Sequence, residues 1–191
     1  MTKIPHLMRC AAAMAAALVL NACGNQEPEM AWQHVDWDEA GIEMQFPCPP
    51  QFARTPVDFG LDIGSVPVHM MGCDAVDSTF AMSYWVLDDA KLADDALAFW
   101  QVAALAKFDA VDGSEAKSGA AFVPHGAMEL PRSIQATVEG EGRAGWTVTT
   151  HGVWFAREEQ DGRARIYHAV VYAPKAYHQT AQTFFQSITL K

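Results

Sequence analysis

The chain has 191 residues, of which 50% are apolar and 10% aromatic, so it can bury a large core and does not have the composition of a disordered protein. Its 23 acidic side chains outnumber the 13 basic ones, and the formal net charge at pH 7 is −10. A protein of this charge is repelled by phosphate backbones, whose binding needs Lys and Arg, so we exclude nucleic acid as a partner.

The N-terminus has the pattern of an export signal. Lys3 and Arg9 make it positive, residues 11–20 are entirely apolar, and Ala22 provides a small residue directly before Cys23. A bilayer span needs about 20 apolar residues, so this shorter run does not predict a transmembrane helix. We therefore interpret residues 1–22 as a signal peptide that is removed.

Leu20-Asn21-Ala22-Cys23 resembles the lipobox of bacterial lipoproteins. The resemblance implies diacylglycerol transfer to the Cys23 sulfur, cleavage before Cys23 and acylation of the new amino terminus, for example with palmitate. Gly24 stands where inner-membrane lipoproteins of Gram-negative bacteria usually carry aspartate, which implies the outer membrane, facing the periplasm. An ordinary secretory signal followed by a chance cysteine is the alternative interpretation.

The remaining chain predicts a lipidated tether at residues 23–31 and one globular domain at residues 32–191. Alternation of apolar and polar residues predicts strands at 41–46, 66–73, 79–87, 133–138, 145–157 and 163–172. Apolar residues at helical spacing predict helices at 93–108 and 174–188. Asp161-Gly162 favours a type I′ hairpin turn between the last two strands, because both central residues of such a turn need positive φ.

This order of elements contains no regular alternation of strand and helix, so it predicts an α+β fold with a central antiparallel sheet of about six strands and helices on its faces. Trp32, the proline-terminated strand that begins at Gly41, the central helix and the final Phe184-Phe185-Gln186-Ser187-Ile188-Thr189-Leu190 resemble the PsbP and DcrB-type lipoproteins. The resemblance implies a single-domain α/β/α sandwich that acts as an accessory or binding module.

Four cysteines occur in the chain, and processing leaves two of them. Cys10 is lost with the leader and Cys23 is acylated, so Cys48 and Cys73 remain in an oxidising compartment, where we predict that they form a disulfide. The alternative is a copper(I) site, because thiol, thioether and imidazole groups crowd together at His69, Met70, Met71 and Cys73.

The chain contains no motif from which we predict a catalytic residue, a cofactor or a bound metal. Residues 140–145 spell G-x-G-x-x-G, but they lie between two predicted strands, which indicates a hairpin instead of a dinucleotide site. His151 and His168 fall on neighbouring predicted strands, where a general base or a metal pair can be imagined. We interpret both as solvent-facing histidines.

Two functions remain. The first is a non-catalytic lipoprotein that binds the bilayer through acylated Cys23 and an envelope protein through an exposed aromatic side chain, for which Trp85, Trp146 and Trp154 are the candidates. The second is a small-ligand binder or an enzyme with a pocket between sheet and helix.

Overall fold

The computed structural model describes residues 27–59, 64–105, 119–141 and 146–191. The predicted signal peptide and Cys23 lie outside these ranges. Within them, the chain forms a seven-stranded sheet with strand order β3-β4-β5-β9-β8-β7-β6 and a three-stranded sheet with order β1-β2-β10. Neighbouring strands are antiparallel throughout both sheets.

The strands of the small sheet are β1 (Gln33–Trp37), β2 (Ile42–Phe46) and β10 (Thr189–Leu190). Those of the large sheet are β3 (Gln51–Asp58), β4 (Ser65–Ala75), β5 (Ser78–Leu87), β6 (Ala120–Ala121), β7 (Ile134–Glu141), β8 (Thr147–Glu158) and β9 (Ala164–Ala173). The two α-helices are α1 (Ala93–Leu105) and α2 (His178–Gln186).

Both faces of the large sheet are covered, because its central strands carry apolar side chains on both sides. One face packs against α2 and the small sheet, and its largest buried side chains are Phe46, Phe80, Phe155, Tyr167, Phe184 and Phe185. The other face packs against α1, with Trp85, Leu87, Leu97, Trp100, Trp154 and Ile166 buried there. The central strands β5, β9 and β8 therefore lie between two separate cores.

The predicted antiparallel sheet with α-helices is confirmed, and each of the six predicted strands is present. The expected number of strands is wrong, because the large sheet has seven and the small sheet is a separate unit. The alternation missed β1, β3, β6 and β10 in full. The longest of these is β3, whose residues are nearly all exposed because it lies at the edge of the sheet. A strand without a buried face does not need alternating apolar and polar side chains. Pro56 is tolerated in β3 because an edge strand can lack one backbone donor.

The small sheet is attached to the large one by polar contacts at Ala40 and Gly41. The buried Tyr167 hydroxyl donates a hydrogen bond to the Ala40 carbonyl, 2.7 Å away. Arg157 donates to the Gly41 carbonyl at 3.2 Å and pairs with Glu159 at 2.8 Å. Burial raises the pKa of Tyr167 to about 12, so this hydroxyl stays protonated and remains a donor.

Candidate functional site

The predicted disulfide between Cys48 and Cys73 is confirmed. Cys48 follows β2 and Cys73 lies in β4, and their Cα atoms are 6.0 Å apart, within the usual range for a disulfide. The copper(I) alternative is wrong, because its thiol is used in this bond and Met71 is buried in the core. In the part of the chain that the structure describes, no three His, Cys, Asp or Glu side chains are grouped to hold a metal ion.

The three candidate tryptophans differ in exposure. Trp85 and Trp154 are fully buried against α1, so the expectation that they form an exposed binding aromatic is wrong. Trp85 lies in β5 and Trp154 in β8, two central strands whose side chains are buried on both faces of the sheet. Alternation of apolar and polar residues therefore cannot identify a solvent-facing side in these strands. Trp146, directly before β8, is 74% exposed and is the candidate that remains.

His151 and His168 lie on neighbouring strands but on opposite faces of the sheet. In the register of β8 and β9, His151 pairs with Val171 and His168 pairs with Trp154. Side chains alternate along a strand, so positions 168 and 171 point in opposite directions. The two histidines are 1% and 7% exposed, so the interpretation that they face solvent is wrong, and they cannot act together on one substrate.

His151 lies beneath the first turn of α2. Its Nδ1 is 2.9 Å from the Thr137 hydroxyl, and its ring meets the His178 ring edge-on with centroids 5.0 Å apart. Its Nε2 is buried and has no hydrogen-bond partner among the described residues. Burial, followed by the nearby His178, lowers the pKa of His151 to about 4, against an opposite effect from Glu27. The ring is therefore neutral at physiological pH.

This histidine makes the stability of the fold depend on pH. The ordinary pKa of 6.5 falls to about 4 in the folded chain, so between these values the unfolded chain binds a proton that the folded chain does not. Stability is expected to fall as the pH is lowered through that window. The full pKa shift corresponds to about 3 kcal/mol in the free energy of unfolding. Local relaxation and solvent screening reduce the expected loss of unfolding free energy to about 1–2 kcal/mol.

Urea unfolding of the wild type and of His151→Gln at about pH 7.5 and about pH 5 measures this contribution. Glutamine can still bond to the Thr137 hydroxyl but does not titrate, so the variant should lose less stability on acidification than the wild type. Equal losses in the two proteins would exclude His151 as the source of the pH dependence.

Glu27 binds the N-terminus of α2 and brings the preceding chain into the domain. Its Oε1 accepts a hydrogen bond from the Gln179 amide at 2.9 Å, and its Oε2 accepts from the Thr180 amide at 2.6 Å and the Thr180 hydroxyl at 2.8 Å. The first amides of a helix lack partners within the helix and favour an anion. Burial raises the pKa of Glu27, but the bonds from Gln179 and Thr180 outweigh it and lower the pKa.

Residues 27–32, which we call the strap, follow this contact along the domain. Met30 packs against the core, and the Trp32 ring meets Phe80 edge-on with centroids 5.9 Å apart. An open groove of about 650 Å³ lies between the strap and α2. Most of the expected tether is therefore held against the domain. No local sequence pattern indicates this role of Glu27, because the cap lies about 150 residues from the helix along the chain.

The glycine-rich segment at 140–145 connects antiparallel strands, as predicted. Glu141 at the end of β7 pairs with Thr147 at the start of β8, and residues 142–145 lie outside the described ranges. A pyrophosphate-binding loop instead leads from a strand into a helix. This connection therefore does not have the context that a dinucleotide site requires.

Neither the protein-family models nor the curated proteins with which the sequence was compared give a match. Among the described residues, no helix is long and apolar enough to cross a membrane.

Proposed function

We propose that this protein is a lipoprotein, anchored in the outer membrane by acylated Cys23 and facing the periplasm, whose domain is a non-catalytic accessory or protein-binding module. The observation that carries the proposal is the sequence Leu20-Asn21-Ala22-Cys23 behind a short apolar leader. The Cys48–Cys73 disulfide agrees with an oxidising compartment.

The α/β/α sandwich of the PsbP and DcrB-type lipoproteins is the finer fold that we propose. Its support is the packing of α1 on one face of the antiparallel sheet and of α2 on the other. An enzyme or ligand binder with a pocket between sheet and helix is less well supported, because Trp85, Trp100 and Trp154 fill the described interface between α1 and the sheet.

Metabolic labelling with palmitate tests the anchor. The wild type is expected to incorporate label and to sediment with membranes, whereas Cys23→Ala should lose both label and membrane attachment or accumulate as precursor. Cys10→Ala is the matched control, because this cysteine lies within the leader and should leave labelling unchanged. Equal labelling of wild type and Cys23→Ala would refute the lipoprotein assignment.

The membrane fraction that contains the labelled protein tests its location. On a sucrose gradient, the wild type is expected with outer membranes and Gly24→Asp with inner membranes, because aspartate at this position is the usual retention signal. Wild type found with inner membranes would contradict the outer-membrane part of the proposal.

A further inference from the structure

Several connections of the large sheet meet at the end where the strap begins. Thr79 at the start of β5 pairs with Tyr172 near the end of β9, and Ala173 pairs with Thr149 near the start of β8. The β4–β5 turn, the chain that enters β8 and the connection from β9 to α2 therefore lie at one end. The Tyr177 hydroxyl, just before α2, donates to Asp77 in the β4–β5 turn at 3.0 Å.

Two large apolar side chains are exposed at this end, which we call the strap end. Trp146 before β8 is 74% exposed, and Val76 in the β4–β5 turn is 72% exposed. Adjacent strands are about 4.8 Å apart, so the two side chains are separated by only a few strand spacings. Lys175, in the connection from β9 to α2, is also exposed.

The chain that leads to Cys23 leaves the domain at the same end. Glu27 is held at the N-terminus of α2, and Gly24, Asn25 and Gln26 alone separate it from Cys23. Even when extended, this segment spans roughly 14 Å between the Cα atoms of Cys23 and Glu27. A lipid on Cys23 therefore places the headgroup region within reach of the strap end and far from the opposite end of the sheet.

The chemistry of the strap end fits an uncharged or zwitterionic lipid surface. Tryptophan is enriched at membrane interfaces, because its ring is apolar and its N–H can bond to headgroups. Two of the carboxylates at this end are already bonded, Glu27 to α2 and Asp77 to Tyr177. Among the described residues of this end, the carboxylates of Glu29, Asp74 and Glu139 outweigh the exposed Lys175, so anionic lipids are not favoured.

We propose that the strap end rests on the bilayer surface, with the Trp146 ring at the level of the headgroups beside acylated Cys23. This inference rests on the proposed function, because the lipid on Cys23 brings the surface to the domain. The partner of Trp146 is then lipid, and any protein partner binds elsewhere on the domain.

Quenching of tryptophan fluorescence by brominated acyl chains tests this orientation. The full-length lipidated protein is placed in phosphatidylcholine vesicles with and without brominated lipid. All six tryptophans are described, and Trp146 is the one that is more than half exposed. We expect Trp146→Phe to remove at least half of the quenchable fluorescence.

A second variant provides a matched control at the opposite end of the sheet. Gln160 is exposed in the β8–β9 turn, so Gln160→Trp combined with Trp146→Phe carries an exposed tryptophan there, which should not be quenched. Equal quenching of wild type and Trp146→Phe, or stronger quenching of the Gln160→Trp protein, would overturn the proposal.

Mass spectrometry and vesicle flotation separate this test from a failure of the proposed function. A protein without lipid on Cys23 that does not float refutes the anchor itself, whereas a lipidated and floating protein with unquenched Trp146 refutes the orientation alone. If Trp146→Ala then abolishes complementation in cells, Trp146 contacts a protein instead of lipid, which would also overturn this inference.

Discussion

Trp154→Ala is expected to destabilise the domain by about 3–5 kcal/mol, the usual cost of removing a large aromatic side chain from a core. The Trp154 ring is 1% exposed and stacks on His168 with centroids 4.6 Å apart and planes 11° from parallel. The absence of a side chain at Gly152 makes room for the Trp154 ring, because a Cβ on residue 152 would lie 2.5 Å from the indole. The alanine variant leaves a cavity that this framework of strands cannot close.

Trp146→Ala is the matched control for this loss. The same substitution at an exposed position is expected to change stability by no more than about 0.5 kcal/mol. Urea unfolding followed by far-UV circular dichroism compares the two variants without depending on the tryptophan signal that each one loses. Similar losses at both positions would contradict the burial of Trp154 or the exposure of Trp146.

Replacing Cys48 and Cys73 together by alanine is expected to lower the free energy of unfolding by about 3.5 kcal/mol. The bond joins residues 25 positions apart, and without it the unfolded chain regains the entropy of that loop. It also connects the segment after β2 of the small sheet to β4 of the large sheet. Its loss should therefore weaken the attachment between the two sheets.

Reduction provides an independent control for the disulfide prediction. A thiol reductant should lower the urea midpoint of the wild type to that of the double alanine variant and should leave the variant unchanged. A wild-type midpoint that does not respond to reductant would show that the bond is absent or contributes nothing to stability.

The sequence alone predicted the features that depend on neighbouring residues or on simple counting. Period-two alternation located the core strands β5 and β9, and helical spacing located α1, because these elements repeat a buried face along the chain. Counting the cysteines that would remain after the predicted processing identified the Cys48–Cys73 pair. The lipobox resemblance and the envelope location stay predictions, because residues 1–26 lie outside the described ranges.

The β8–β9 connection shows that local sequence patterns do not determine the conformation of a turn. The predicted type I′ turn is wrong, because it needs positive φ at both Asp161 and Gly162 in the connection between β8, which ends at Glu158, and β9, which begins at Ala164. Gly162 alone in this connection has positive φ, and the Glu159 amide bonds to the Arg163 carbonyl at 2.8 Å. Asp-Gly marked the position of the turn correctly, but the strand register decided its conformation.

Tertiary structure alone decided which side chains reach solvent and which meet each other. Strand alternation assigns residues to two faces but does not say whether either face is open, so Trp85, Trp154, His151 and His168 could not be placed from sequence. The contact of Glu27 with Thr180 joins positions distant in sequence, and no local pattern encodes it. Such contacts exist only once the sheet has brought its strands and α2 together, because register and packing set them.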